Sequence, residues 1–268
     1  NAGSTVSNAF VTQFADDVLH AAQQKTSKLA KCVRTVRNVI GSTYKFNTLS
    51  KGGYIKNKSR FEDITVMSDS SKSMGGSATY TGGVASHATV TATLNNYVAG
   101  EYVDDFDQLK TNFDFRQTYA ESIGGALARA YDTEIVTVLD ASSPSTTVTA
   151  SSGLTKAKFL EIAEGLNNND VDNADRYIVM SPAALTDLLA DTGVTTAADG
   201  PISNTALATG FIPNFLGFNV IVSNLLNEAS TGVRKCYAFQ KNAVGLAVGK
   251  DVTAMINYVP QKVSHLVA

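Results

Sequence analysis

The clearest pattern along the chain is an alternation: Ala88, Val90, Ala92 and Leu94 are separated by Thr89, Thr91, Thr93 and Asn95. Successive strand side chains point to opposite faces, so this period of two predicts a β-strand with one apolar face. Upstream, Thr43–Leu49 and Tyr54–Ile55 are strand-like pieces around a Lys51-Gly52-Gly53 turn, and Ile64–Met67 is another short apolar piece. Between the outgoing and returning pieces, 68–83 holds many Ser and Gly and reads as a flexible tip. Residues 43–95 thus form a long excursion of hairpin character. It has too little apolar material to build a core of its own, so its stable place is against another surface.

A helical period follows. From Asp105 to about Asp140, apolar residues recur at Phe106, Leu109, Phe113, Tyr119, Ile123, Leu127, Ala130, Ile135 and Val138. Asp104, Asp105 and Asp107 crowd the expected start, where carboxylates cap free amides and meet the positive end of the dipole. At 1.5 Å per residue the span is roughly 50 Å, and Gly124-Gly125 is a place for a bend or a close neighbour. Nearer the N-terminus, Phe10, Phe14, Val18 and Ala22, then Leu29, Val33 and Val36, lie near helical spacing and predict an amphipathic helix from about Asn8.

Beyond a Ser/Thr-rich loop at 142–153, Phe159, Ile162, Ala163 and Leu166 predict a helix over 155–166. Strand Tyr177–Met180 runs into Ser181-Pro182, an N-cap and N1 pair that opens a helix through Leu185, Leu188 and Leu189. Strands are expected at Phe218–Val222, Cys236–Phe239 and Val244–Val248, and a final extended stretch covers Val252–Val267. The uncharged run 211–227 is broken by Pro213, Gly217 and several Asn, and reads as a buried strand and not as a membrane span. There is no repeat and no regular βαβ alternation, so the fold class is α+β.

Composition adds one decisive fact. At 268 residues, 44% hydrophobic and 17% charged, the chain suits one large domain or two small ones. Its net charge of −2 hides a segregation. From Val18 to Phe61 there is no Asp or Glu but there are ten cations: Lys25, Lys28, Lys31, Arg34, Arg37, Lys45, Lys51, Lys56, Lys58 and Arg60. The remainder therefore carries 12 basic and 24 acidic residues. Such a division implies contact with nucleic acid, or head-to-tail contact of one copy's basic arm with another copy's acidic body, against the plainer reading of a solvated basic face. Cys32 and Cys236 are the only cysteines and are expected to be free thiols.

Motifs for catalysis fail in specific ways. Gly245-Leu-Ala-Val-Gly249-Lys250-Asp251 is one residue short of a phosphate-binding loop and puts an aspartate where the metal-binding hydroxyl belongs. His20, His87 and His265 have no Cys, His or Glu at ligand spacing, and no Gly-x-Ser-x-Gly elbow occurs. Asp104, Asp105 and Asp107 are read more simply as helix-start residues than as a cation site, and Asp170, Asp172 and Asp175 lack the Gly and Glu of a calcium loop. The sequence predicts no catalytic residue, cofactor or metal.

The order of parts resembles the HK97 fold of tailed-phage major capsid proteins. Asn96-Tyr-Val-Ala-Gly-Glu-Tyr-Val-Asp-Asp-Phe-Asp107, leading through Tyr119, Ile123-Gly124 and Ala126-Leu127-Ala128 to Asp132, is similar to that family's entry into its spine helix. Asp175-Arg-Tyr-Ile-Val-Met-Ser-Pro182 with Leu185 resembles the strand and helix of its axial domain. Gly217-Phe-Asn-Val-Ile-Val-Ser-Asn-Leu-Leu226 and Phe239-Gln-Lys-Asn-Ala-Val-Gly245 resemble the next two strands. The likeness covers nearly the whole chain and is closest to short-tailed podovirus capsid proteins.

The resemblance implies an N-terminal arm at 1–42, an extended loop at 43–90, a peripheral domain at 91–150 with 249–268, and an axial domain at 151–248. It implies a non-enzymatic shell subunit, assembled in the host cytoplasm as hexamers and pentamers around double-stranded DNA that it contacts without reading sequence. A scaffolding protein and a portal are the further expected partners, and no membrane is involved. In that setting Lys45, Lys51, Lys56, Lys58 and Arg60 of the loop are expected to meet acidic surface of a neighbouring subunit, with Glu101, Asp104, Asp105 and Asp107 the candidate acceptors. An encapsulin-like protein compartment shares the fold and would hold enzyme cargo instead of nucleic acid. A free-standing nucleic-acid-binding protein would explain the basic stretch but not the long hairpin or the acidic body.

Overall fold

The computed structural model describes residue 24 and residues 26–50, 54–56, 60–61, 79–81, 87–104, 115–144, 146–149, 153–191, 210–230 and 233–268. The strands along the chain are β1 (Arg34–Val36), β2 (Thr43–Leu49), β3 (Tyr54–Lys56), β4 (Thr79–Thr81), β5 (His87–Thr93), β6 (Glu101–Asp104), β7 (Arg176–Met180), β8 (Asn214–Phe215), β9 (Phe218–Val222), β10 (Glu228–Ser230), β11 (Val233–Arg234), β12 (Tyr237–Gln240), β13 (Gly245–Ala247), β14 (Ile256–Val259) and β15 (Ser264–Val267). The longer helices are α1 (Phe115–Ala141), α2 (Lys156–Asn168) and α3 (Pro182–Ala190). They form two compact units, one from the described residues of 1–35, 96–246 and 251–268, the other from those of 36–95 and 247–250.

The larger unit is built on a four-stranded sheet in the order β12-β7-β9-β8. β7 and β9 run parallel, from Arg176↔Phe218 to Met180↔Val222, while β12 and β8 are antiparallel to their neighbours. Both faces of this sheet are covered, and the period of two sorts the side chains between them. Ile178, Met180, Phe218, Val220 and Ala238 belong to one apolar cluster, with Phe159 of α2 and Leu188 of α3. Tyr177, Val179, Ile221, Tyr237 and Phe239 belong to the other, with Ile135, Val136 and Leu139 of α1 and with Leu29, Cys32 and Val33. Phe159 is fully buried and meets the rings of Phe215 and Phe218 edge-on, at centroid distances of 5.0 and 6.0 Å.

Local signals set the ends of these elements. Ser181 Oγ accepts from the Ala184 amide at 3.2 Å, as the Ser-Pro pair predicts for the start of α3. At the start of α2 the cap comes from elsewhere in the chain: the Lys156 amide donates to Asp191 Oδ2 at 2.8 Å, while Thr155 makes no side-chain cap. The β8–β9 hairpin turns through Leu216 (φ 48) and Gly217 (φ 83), the double positive φ of a tight two-residue turn, in which the glycine removes the strain at one position.

A three-stranded antiparallel sheet, β14-β15-β6, completes this unit and ties the C-terminal residues to 101–104. The stretch expected to be one extended segment over 252–267 is therefore a hairpin: β14, a short turn over Pro260–Lys262, and β15.

The smaller unit is a two-stranded ribbon. β2 pairs with β5 from Thr43↔Thr93 to Leu49↔His87, and β3 pairs with β4 from Tyr54↔Thr81 to Lys56↔Thr79. The long hairpin read from the sequence is thus present. β2 and β3 are both outgoing strands, and each pairs with a returning one instead of with the other.

Two further expectations are corrected. The helical spacing of Leu29, Val33 and Val36 does not make a helix: a single turn of 3-10 helix, Ala30–Cys32, gives way to β1. Tertiary burial of Leu29, Cys32 and Val33 in the second cluster overrides the periodicity. Asp104, expected among the helix-start residues, is the last residue of β6; the described span of the long helix begins at Phe115 and runs through Gly124-Gly125 without a break. The helix expected from Asn8 to Ala22, the piece Ile64–Met67, and Asp105 and Asp107 lie outside the described residues; of the tip at 68–83 only 79–81 are described, and they form β4.

Candidate assembly surfaces

The hairpin unit is amphipathic across its faces. Residues paired directly across an antiparallel ladder share a face, so Tyr44 with Ala92 and Phe46 with Val90 lie on one side. Thr43 with Thr93, Lys45 with Thr91, and Asn47 with Thr89 lie on the other. The rings of Tyr44 and Phe46 meet edge-on at 4.8 Å, which orders the apolar side. Even so, Val90 remains 59% exposed.

The charged candidates fall as follows. Lys45 is exposed on the polar face of the ribbon; Lys56 and Arg60 are exposed farther along the outgoing chain. Glu101 and Asp104 are exposed on β6, an edge strand of its sheet. Being three residues apart, they project from opposite faces of that strand. Lys51, Lys58, Asp105 and Asp107 lie outside the described residues.

Two polar constellations that sequence reasoning did not single out hold the larger unit in shape. Asp132 of α1 is fully buried. Its carboxylate accepts from the backbone amides of Lys28 and Leu29, both at 3.0 Å, and from the side chains of Gln24 and Ser27. Arg129, one turn earlier, donates through Nη1 to the Gln24 carbonyl at 3.0 Å. Gln24 and residues 27–29 are thus clasped to the helix, and the buried carboxylate finds its partners there. The signal was available: Asp132 sits three and four residues before Ile135 and Val136, on the stripe that faces the core.

The second constellation is Asp140, near the end of α1. It accepts from Asn227 Nδ2 at 3.0 Å, Tyr237 Oη at 2.9 Å and the Lys235 ammonium. The hydrogen bonds from Lys235, Asn227 and Tyr237 hold its carboxyl at about 2, below the ordinary 3.8. Burial, followed by the bond to Asp140, pushes the Tyr237 phenol upward. A carboxyl lowered in the folded state stabilises the fold above its unfolded value, and that contribution disappears as pH falls from about 4 to about 2. Thermal unfolding followed from pH 5 to pH 2 should therefore show a shallower loss in Asp140→Asn than in the parent. Parallel curves would remove Asp140 from the acid response.

Burial raises the Cys32 thiol to about 11, which keeps it protonated and a poor nucleophile. Among the described residues no group of His, Cys, Asp and Glu is placed to hold a metal ion. No helix among them is long and apolar enough to cross a membrane.

The chain is similar in fold to subunits of several phage particles. It matches the capsid of cyanophage P-SCSP1u with a TM-score of 0.72 and 19% identity, over 99% of this chain and 89% of that one. It matches a chain of Mycobacterium phage Che8 with a TM-score of 0.71 and 18% identity, over 96% and 89% of the two chains. The capsid of a native GTA particle aligns over 100% of this chain and 92% of its own, with a TM-score of 0.64 and 14% identity. No curated protein sequence matches the chain. The ribbon, long helix, central sheet and returning C-terminal strand therefore constitute the HK97-type α+β capsid fold. The family model for "Phage capsid protein" matches residues 6–268, and the chain belongs to that family.

Proposed function

We propose that this chain is the major subunit of an icosahedral phage head, assembling as hexamers and pentamers around packaged double-stranded DNA. The observation that carries the reading is the hairpin unit: β2 and β5 are paired along their whole length, yet most of their residues stay exposed. A two-stranded ribbon is marginal in water by itself, and a neighbouring copy in a shell supplies the missing surface. Weak contacts repeated around a closed shell give avidity while letting misplaced subunits leave.

The proposed division is an arm at 1–42, an extended loop at 43–90, a peripheral domain at 91–150 with 249–268, and an axial domain at 151–248. The pairing of β15 with β6 supports joining 249–268 to 91–150, and the four-strand sheet lies wholly within 151–248. β5 runs on to Thr93, three residues past the loop boundary. A scaffolding protein, a portal and DNA held without sequence readout are the proposed partners, with assembly in the host cytoplasm. No catalytic step is assigned.

Expression with any co-encoded scaffold, followed by negative-stain electron microscopy, tests the reading. Closed icosahedral shells are expected; a small oligomer that persists with scaffold supplied would overturn it. Within shells, Lys56 and Lys58 are proposed to face acidic surface of a neighbour. Exposed pairs contribute less than about 1 kcal/mol each, but reversal at every copy accumulates. The double substitution Lys56→Glu with Lys58→Glu should yield folded subunits and no shells, and normal shells from it would remove the charge pairing from the proposal.

A further inference from the structure

We infer that Lys28, Lys31, Arg34 and Lys241 form one phosphate-binding patch on the larger unit, which takes the backbone of double-stranded DNA without reading its sequence. This rests on the shell reading and gives its DNA partner a place. The larger unit as a whole is acidic, with 21 Asp or Glu to 14 Lys or Arg over its residues. Yet within it the stretch 18–35 carries Lys25, Lys28, Lys31 and Arg34 and no acid. Lys28, Lys31 and Arg34 are exposed, while Leu29, Cys32 and Val33 between them are buried in the second cluster, so the cations stand on a fixed base. The Asp132 carboxylate, accepting from the Lys28 and Leu29 amides, holds that base to α1.

Lys241 joins them through the pairing of β1 with β13. Each strand is entered from a single 3-10 turn, Ala30–Cys32 in one case and Lys241–Ala243 in the other. The Arg34 amide donates to the Val244 carbonyl at 2.9 Å, and Lys31 and Lys241 each lie three residues before that bond. Burial raises the Cys32 thiol, and the ammonium groups of Lys31 and Lys241 both draw it down, which places both near it. Lys28 is held by donating through Nζ to the Val222 carbonyl at 3.1 Å. Against these cations stand Asp132, whose buried carboxylate is shared among its donors, and Asp175, whose carbonyl accepts from the Lys241 amide at 3.0 Å. The excess of positive charge suits a phosphate backbone, where lysine acts as a point charge and no base edge is read.

The test is binding of a short fluorescein-labelled DNA duplex to the unassembled full chain, followed by anisotropy over a series of salt concentrations. Lys31→Gln with Lys241→Gln should weaken binding about tenfold at low salt and flatten the slope of log K against log salt by roughly 2, as two phosphate contacts are lost. Lys45→Gln with Lys56→Gln removes the same charge from the ribbon and should change binding less than about twofold. Equal losses in both pairs would reduce the effect to net charge and overturn the patch, as would binding that neither pair weakens. If Lys31→Gln with Lys241→Gln lowers the urea midpoint, Lys31→Gln alone is read instead, with a slope change of roughly 1. Unchanged DNA binding together with loss of scaffold-dependent shells would assign the patch to a scaffolding protein and overturn it as well. Parent shells seen by microscopy, from a subunit that does not bind DNA at low salt, would sink the patch and leave the shell reading standing. Absence of parent shells would instead strike the shell reading, and with it the patch that rests on it.

Discussion

Asp132→Ala is expected to lower stability by about 3 kcal/mol, because it strands the buried Leu29 amide and leaves three part-buried donors without their acceptor, instead of merely deleting a bond. The Lys28 and Leu29 amides and the Gln24 and Ser27 side chains all converge on this one carboxylate. Each donor left unsatisfied in a buried place costs about 1–3 kcal/mol. Asp132→Asn should lose roughly half as much, since the amide keeps one acceptor oxygen but turns an NH2 toward donors. Urea unfolding gives the magnitude, and hydrogen exchange gives the mechanism. In both variants the Lys28 and Leu29 amides should exchange faster, while those of β7 and β9, remote in sequence, change only as far as global stability does. A loss in Asp132→Ala under about 1 kcal/mol would mean that segment 24–29 is held by Leu29, Cys32 and Val33 alone.

Much of this architecture was legible in the residues, and the illegible parts share a cause. The alternation at Ala88–Leu94 and the Ser181-Pro182 cap are local, set by side-chain period and by a hydroxyl three residues from an amide. The apolar runs of β7 and β9 were recognisable as buried strands, but their parallel pairing was not, since it depends on a crossover that includes α3. Leu29, Val33 and Val36 spoke for a helix and were outvoted by burial against α1 and by the Asp132 clasp. The Lys156 cap on Asp191 joins residues 35 apart, beyond any local motif. In the ribbon, the sequence groups Lys45 with Lys56 and Arg60, and only the register of β2 on β5 puts Lys45 on the face opposite Tyr44 and Phe46. A shift of one residue would have reversed that assignment.

Phe159→Ala should be comparably costly, at about 4 kcal/mol, for a different reason. Phe159 is fully buried at the joint between α2 and the central sheet, edge-on to both Phe215 and Phe218. Truncation removes the apolar contact of a whole ring and leaves a cavity that those two rings cannot fill without giving up their own contacts. The neighbouring Leu160 is 51% exposed, and Leu160→Ala should cost under about 1 kcal/mol, so the pair controls for helix propensity and position in α2. Equal losses in the two variants would contradict the packing of α2 on the sheet. The comparison also separates folding from assembly. Phe159→Ala acts within the subunit and should lower the urea midpoint before any shell forms. Lys56→Glu with Lys58→Glu acts between subunits and should leave that midpoint in place while shells disappear. If instead the ribbon variant lowered the midpoint as far as Phe159→Ala does, the ribbon would be completing the fold of its own subunit, and the case for a neighbouring copy as its partner would fall.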